Sequence, residues 1–348
     1  MGINVLVVDD SATARAVVSE ILQSDPEIGV VDTAADAYIA RDKIVHNRPD
    51  VVCLDVEMPK MDGITFLKKL MKYMPLPVVM VSSLTQKGAK TTLDALEAGA
   101  VDVVGKPSLN FYESSSDIHE ELLLKVKNAA HAHVEKHINA NSIKHLLYKD
   151  TLQNNTQKII AIGSSTGGVE ALNRFLVQFP SNAPAILVVQ HMPVDFTIQF
   201  AERLNIVCDM QVKEAQNGDE VVAGTIYIAP GNLHMVLRRS GSKYSIQLGT
   251  GEKVSGHRPS VDVMFNSVAK CAAIDAVGVI LTGMGSDGAK GLLNMRKSGS
   301  MTFGQDEKSC VVYGMPKVAY SLGAVVRQKS LELLPASILN YLEKETER

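Results

Sequence analysis

The chain has no surplus of positive charge: 35 Lys and Arg stand against 38 Asp and Glu in 348 residues, a formal net charge of -3. Without a basic field there is no electrostatic footprint for a phosphate backbone, and nucleic acid is excluded as the principal partner. Cysteine is scarce. The four present, Cys53, Cys208, Cys271 and Cys310, form no CxxC pair, which argues against a zinc site and a disulfide framework and makes a reducing cytoplasm the expected compartment. No uninterrupted apolar run reaches the roughly 18 residues of a membrane span. The opening Met1-Gly2-Ile3-Asn4-Val5 has no basic leader region. A soluble cytoplasmic protein with no direct membrane insertion is expected. No fixed-period repeat is evident.

What is present is a repeated alternation. At roughly 100 to 200 residues per domain, this length predicts two domains, and a hydrophobic fraction of 46% is enough to bury both cores. Short apolar runs at Val5 to Val8, Val51 to Leu54, Val78 to Val81 and Val101 to Val104 read as strands, with Val30 to Asp32 a weaker one. Between them Ala14 to Leu22, Ala35 to Val45, Ile64 to Met71 and Ala89 to Ala98 have helical spacing. A further helix is expected over Ile118 to Val134. The alternation then resumes, with strands at Ile159 to Ile162, Ile186 to Val189, Ile226 to Ala229 and Val277 to Leu281, and an amphipathic end at Leu331 to Leu342. This pattern predicts α/β architecture with two doubly wound parallel-sheet domains. The expected boundaries are 1–125 for the first domain, 126–156 for a linker that includes the end of its last helix, and 157–348 for the second.

In the first domain Asp9 and Asp10 follow the first strand and Asp55 follows the third. A parallel sheet gathers all three at its carboxyl edge, where open α/β sheets place their sites. One such Asp alone would read as a turn former or a helix cap. Three carboxylates together repel one another, and their oxygens suit Mg2+. The Ser82 hydroxyl and the Lys106 ammonium close the next two strands. The segments Val8-Asp9-Asp10-Ser11, Leu54-Asp55-Val56-Glu57-Met58-Pro59-Lys60-Met61-Asp62-Gly63, Val81-Ser82-Ser83 and Gly105-Lys106-Pro107 resemble response-regulator receiver domains, which have a flavodoxin-like fold. The resemblance implies that Asp55 accepts phosphate. It also implies that Asp9, Asp10, Asp55 and the Glu57 carbonyl hold magnesium, that Ser82 and Lys106 sense the phosphoryl group, and that Lys106-Pro107 is cis.

In the second domain an apolar strand runs into Gly163-Ser164-Ser165-Thr166-Gly167, a G-x-S-x-G match ahead of a helical pattern at Val169 to Phe179. Such a turn presents a serine hydroxyl above a sheet, beside the amides of a helix start. A phosphate-binding glycine loop is the rival reading and fits less well, because G-x-G-x-x-G fails at Ser165 and no Gly-Lys-Ser/Thr follows. A nucleophilic serine needs a base, and the base needs an orienting carboxylate. His191 directly follows the strand Ile186 to Gln190, and Asp287 lies in Thr282-Gly283-Met284-Gly285-Ser286-Asp287-Gly288 after another. His234 and His257 compete for the role of base, and Asp287 could equally cap the next helix. The chain order Ser, His, Asp differs from the Ser, Asp, His order of α/β-hydrolases.

These segments, with His257-Arg258-Pro259-Ser260-Val261-Asp262 and Cys310-Val311-Val312-Tyr313-Gly314-Met315-Pro316-Lys317, resemble the catalytic domain of chemotaxis protein-glutamate methylesterases. The resemblance implies that Ser165 is the nucleophile, His191 the general base and Asp287 its orienting partner, with the amides around Thr166 and Met284 as oxyanion-hole candidates. Ser164 stands where the family often has Ala, which leaves the adjacent serine to be tested. His257 and the Cys310 segment are taken as structural or substrate-groove elements. The implied reaction is hydrolysis of γ-glutamyl methyl esters on the cytoplasmic helices of methyl-accepting chemoreceptors, with deamidation of receptor glutamines as a second activity. Hydrolysis needs no cofactor, and a chemotaxis histidine kinase is the implied phosphodonor. In the family an unphosphorylated receiver blocks the catalytic face. Two other readings remain: a receiver fused to a catalytically silent binding domain, and a response-regulator transcription factor, for which no basic recognition-helix pattern is present.

Overall fold

Each apolar run of the first hundred residues becomes a strand, and the polar turns between them lead into helices. The computed structural model describes residues 2–82, 86–107, 116–134 and 158–346. Two compact units divide the chain at 1–139 and 140–348. In the first, the order is β1 (Ile3–Val8), α1 (Ala12–Gln23), β2 (Ile28–Ala34), α2 (Ala37–His46), β3 (Val51–Asp55), α3 (Gly63–Tyr73), β4 (Val78–Ser82), α4 (Gln86–Glu97), β5 (Asp102–Gly105) and α5 (Ser116–Ala130). The sheet is parallel, in the order β2-β1-β3-β4-β5, which is the doubly wound flavodoxin-like order with its switch point between β1 and β3.

Local chemistry sets the boundaries. Ser11, Asp36 and Asp62 each accept backbone N–H groups at the starts of α1, α2 and α3, which satisfies amides that a helix start leaves without partners. The central strands β3 and β4 are buried at every residue, as a sheet covered on both faces requires. The edge strand β2 is longer than its weak apolar signal suggested, because one of its sides meets solvent and Val30 is exposed. Helix α5 stops at Ala130, four residues before the expected end. There the bonds tighten to His131 N–H onto the Asn128 carbonyl and Ala132 N–H onto the Ala129 carbonyl, the 3-10 pattern that closes a helix. Residues 135–156 of the expected linker lie outside the described residues.

The second unit comprises β6 (Ile159–Ser164), α6 (Gly168–Leu176), β7 (Ala185–Gln190), α7 (Val194–Val207), β8 (Gln211–Glu214), β9 (Thr225–Ile228), β10 (His234–Ser240), β11 (Lys243–Gly249), α8 (Val261–Cys271), β12 (Ala276–Ile280), α9 (Ala289–Lys297), β13 (Met301–Gln305), α10 (Met315–Ser321), β14 (Arg327–Lys329) and α11 (Leu334–Thr346). Seven of these strands form a parallel sheet in the order β14-β13-β12-β6-β7-β9-β8. The chain starts at β6 and builds outward first through β7 and later through β12, which puts the switch point between β6 and β12. The antiparallel hairpin of β10 and β11 stands outside this sheet and was not expected. It turns at Gly241-Ser242, and its inner residues Met235, Leu237, Tyr244 and Ile246 join the core. Leu237 N–H donates to the Ser267 hydroxyl of α8 at 2.9 Å.

One close approach in the first unit places the acidic loop. A Cβ at Gly63 would lie 2.0 Å from the Asp55 backbone carbonyl oxygen and 3.1 Å from Val56 Cα, and neither backbone atom can rotate away. Gly63→Ala is therefore expected to destabilise the first unit by about 1–3 kcal/mol, the usual cost of forced overpacking. The chain has no tryptophan, so urea unfolding followed by circular dichroism is the suitable measurement. An unchanged midpoint would show that the loop yields without cost.

Candidate functional site

Strands β12, β6 and β7 are neighbours; Ser165 directly follows β6, His191 directly follows β7, and Asp287 lies in the loop from β12 to α9. Register pairs Ser164 at the end of β6 with Gln190 at the end of β7, so Ser165 and His191 leave the sheet side by side. Gly167, with φ 74°, turns the chain from Ser165 into α6. This is a left-handed conformation that favours glycine. His191 Nδ1 lies 3.2 Å from Ser165 Oγ, and His191 Nε2 lies 2.9 Å from Asp287 Oδ2. A carboxylate only accepts, so Nε2 carries the proton and Nδ1 accepts from the serine hydroxyl. The ring thus presents Nδ1 to the serine, the reverse of the arrangement in chymotrypsin-like triads.

Asp287 is held by several donors besides His191. Its side chain is 1% exposed. Oδ1 accepts from Ser260 Oγ at 2.8 Å and from the Asp262 amide at 3.0 Å, while Oδ2 accepts from the Val261 amide at 2.7 Å as well as from His191. Both amides belong to the first turn of α8. The carboxylate sits on a helix N-terminus, where the macrodipole and unsatisfied N–H groups favour an anion. Burial alone would raise its pKa, but the hydrogen bonds from His191, Asp262 and Ser260 hold it below the ordinary carboxylate value. Asp262 itself is pushed up, first by burial, though its carboxylate accepts the Gly291 amide at 2.6 Å.

The competing histidines are also placed. His234 is tied into the loops, accepting from the Ser260 amide through Nδ1 at 3.2 Å and meeting the Glu252 carbonyl through Nε2 at 2.8 Å. His257 stacks on His191 with ring centroids 3.7 Å apart and an interplanar angle of 10°. Thr282, fully buried, pins the serine turn: its carbonyl accepts the Ser165 amide at 3.1 Å and its hydroxyl donates to the Thr166 carbonyl at 3.0 Å. The Gly283 amide is bound to the Val312 carbonyl at 3.1 Å, and the Gly283 carbonyl accepts from Gly314 and Met315. Met284 follows and is 37% exposed. Ser260, the α8 amides and Thr282 were not singled out as site residues from the sequence. Ser260 N-caps α8, and the Ser-x-x-x before an apolar run was the signal available.

The first unit gathers its own groups at the carboxyl edge. One ligand oxygen from each of Asp9, Asp10 and Asp55 lies within 4.8 Å of the others. Lys106 Nζ bridges two of them, 2.8 Å from Asp55 Oδ2 and 3.0 Å from Asp9 Oδ2. Burial chiefly, and then the neighbouring Asp9 charge, pushes the Asp55 carboxyl above its ordinary range. Burial works against the Lys106 charge, but its two carboxylate partners more than restore it, so the ammonium persists. Asp55 Oδ2 is buried without a well-formed hydrogen bond. Three crowded carboxylates, one oxygen of which has only the Lys106 ion pair, fit a hard divalent cation. Glu57 is exposed, and its backbone amide bonds the Asp55 carboxylate. Ser82 is buried and accepts from Thr92 Oγ1 at 3.1 Å, and its carbonyl accepts the Lys106 amide. The expected cis Lys106-Pro107 is not found: the cis X-Pro peptide among the described residues is Arg258-Pro259, and Lys106-Pro107 keeps the isomer that X-Pro bonds ordinarily prefer.

Residues 160–338 match the family model described as CheB methylesterase, and residues 5–111 match that of the response regulator receiver domain. A protein-glutamate methylesterase/protein-glutamine glutaminase of Sulfurimonas denitrificans is 55% identical over 350 residues, spanning 99% of both chains. The chain belongs to the CheB methylesterase family. A second such protein, from Syntrophotalea carbinolica, is 51% identical over 346 residues and spans 98% of each. The crystal structure of the Thermotoga maritima CheB methylesterase catalytic domain superposes with a TM-score of 0.51 at 37% identity, covering 54% of this chain and 97% of that domain. The fold is therefore that of a receiver domain followed by a CheB catalytic domain. Among the described residues no helix is long and apolar enough to cross a membrane.

The depressed Asp287 pKa has a measurable consequence. Its native value lies below the unfolded one of about 3.9, so its stabilising contribution is complete above that pH and is lost as pH falls through the native value. The urea midpoint of the wild-type protein should fall more steeply below about pH 4 than that of Asp287→Asn. Parallel acid curves for the two proteins would mean that the carboxylate adds no stability.

Proposed function

We propose that the second unit hydrolyses glutamate methyl esters of chemoreceptors through Ser165, His191 and Asp287, and that the first unit regulates it by phosphorylation at Asp55. The observation that supports the chemistry best is the unbroken chain of hydrogen bonds from the Ser165 hydroxyl through His191 to a buried Asp287. In this reading Ser165 Oγ attacks the ester carbonyl as its proton passes to His191 Nδ1. The resulting imidazolium is stabilised by the carboxylate bonded to Nε2. Negative charge develops on the former carbonyl oxygen, for which the amides of Thr166 and Met284 are the candidate donors. His191 then returns the proton to the departing methoxide, which leaves as methanol, and the acyl-serine is cleaved by a water that His191 activates in turn. The same sequence on a glutamine side chain releases ammonia, so deamidation needs no further group. No organic cofactor enters this reading.

In the first unit Asp9, Asp10, Asp55 and the Glu57 carbonyl would hold Mg2+, which offsets the crowded negative charge at the phosphoryl acceptor. Lys106 and Ser82 would contact the transferred phosphoryl oxygens, and a chemotaxis histidine kinase would be its source. Residues 1–125 then form the receiver, 126–156 the connection and 157–348 the esterase, acting in the cytoplasm on the cytoplasmic helices of the receptors.

Ser165→Ala should lower methanol release from methylated receptor membranes by roughly 10,000-fold or more, because nucleophile and base act as a unit, while circular dichroism stays unchanged. Near-normal turnover by a folded Ser165→Ala protein would remove Ser165 as the nucleophile. Asp55→Asn should keep basal hydrolysis and lose its increase on addition of a small-molecule phosphodonor. A response that persists in Asp55→Asn would place the phosphoryl acceptor elsewhere.

A further inference from the structure

Ser164 and Gln190, the register partners that end β6 and β7, are both buried, at 0% and 3% exposure. Between them lies a closed set of hydrogen bonds. The Gln190 carboxamide nitrogen donates to the Ser165 carbonyl at 2.9 Å and to the His191 carbonyl at 3.1 Å. Its oxygen accepts the Ser164 hydroxyl at 2.7 Å. The reverse orientation would point the amide oxygen at two carbonyl oxygens, so the carboxamide has one satisfiable direction, and the Ser164 hydroxyl is the donor that completes it. Space enforces the same arrangement: a Cβ at Gly168 would come within 2.0 Å of Gln190 Oε1 and 2.9 Å of Ser164 Cβ. The strand ends are joined a second time by the His191 amide, which donates to the Ser164 carbonyl at 3.2 Å.

We propose that the Gln190 carboxamide, oriented by the Ser164 hydroxyl, is a positioning clamp that grips the backbone of Ser165 and His191 together and sets the reach of the base to the nucleophile. Neither residue touches the reacting atoms. One side-chain amide holds the carbonyls of two residues that must stay within hydrogen-bond distance through their own side chains. A shift of about 1 Å between such groups can cost a hundredfold in rate. Ser164 is thereby accounted for as a supporting residue rather than a second nucleophile.

The inference rests on Ser165 being the nucleophile, and the test separates the two. The full-length protein, activated with a phosphodonor, is assayed on methylated receptor membranes for kcat and KM. In parallel, the rate of Ser165 labelling by a fluorophosphonate is read by peptide mass, with no receptor present. Gln190→Met, which keeps the length and removes the donors, should lower both kcat and the labelling rate about a hundredfold while leaving KM within about twofold. Ser164→Ala should lower both by about tenfold, and Ser164→Thr, which keeps the hydroxyl, should recover most of that loss. A folded Gln190→Met protein labelled at the wild-type rate overturns the clamp, as does a loss confined to KM. Should Gln190→Met fail to fold, Ser164→Ala decides the matter alone, and wild-type labelling in that variant overturns the clamp. Labelling of the wild-type protein at a residue other than Ser165 overturns the nucleophile assignment itself.

Discussion

The buried carboxylate of Asp287 on the amino end of α8 is the contact on which the arrangement of His191 and Ser165 depends. Four donors surround it, three from the Ser260 to Asp262 turn and one from His191. A charge placed there without partners would be strongly disfavoured, but paired with a helix terminus it stays ionised. An ionised Asp287 fixes the proton on His191 Nε2, and that in turn leaves Nδ1 to accept from Ser165. The order of causes runs from a helix N-terminus to a serine hydroxyl, through groups that sit on separate strands and loops.

The two units place their chemistry alike and treat charge in opposite ways. Each gathers its groups at the carboxyl edge of a parallel sheet, beside the point where strand order reverses. In the esterase unit the acid is fully satisfied and its pKa is depressed. In the receiver unit Asp55 is buried beside Asp9, its pKa is raised, and one oxygen lacks a well-formed hydrogen bond. The first arrangement suits a group that must stay ionised through a catalytic cycle. The second fits the proposed role, in which a cation and a phosphoryl group would alter the charge of the carboxylate.

Much of this was legible in the sequence, because parallel strands buried on both faces are written as continuous apolar runs, and the residues just after them fall at one sheet edge. Ser165, His191 and Asp287 could be read in that way, as could Asp9, Asp10 and Asp55. The β10-β11 hairpin could not be read as another apolar run, since its alternation of inward Met235 and Leu237 with polar neighbours is weak and its only turn signal is Gly241-Ser242. Support residues were harder still. Ser260 acts on Asp287 across 27 positions and Thr282 acts on Thr166 across 116, and no local pattern marks a hydroxyl whose partner lies so far along the chain. The stacking of His257 on His191 and the choice of Nδ1 as the nitrogen facing the serine are properties of packing alone.

The pinning of the serine turn by Thr282 narrows how the transition state can be stabilised. In serine proteases of the chymotrypsin type, the nucleophile's own backbone N–H is one of the two oxyanion donors. Here the Ser165 N–H is already committed to the Thr282 carbonyl at 3.1 Å, a bond within the protein interior that faces the neighbouring strand. In the proposed mechanism the Ser165 N–H is therefore not an oxyanion donor, and Thr166 and Met284 stand as the candidates.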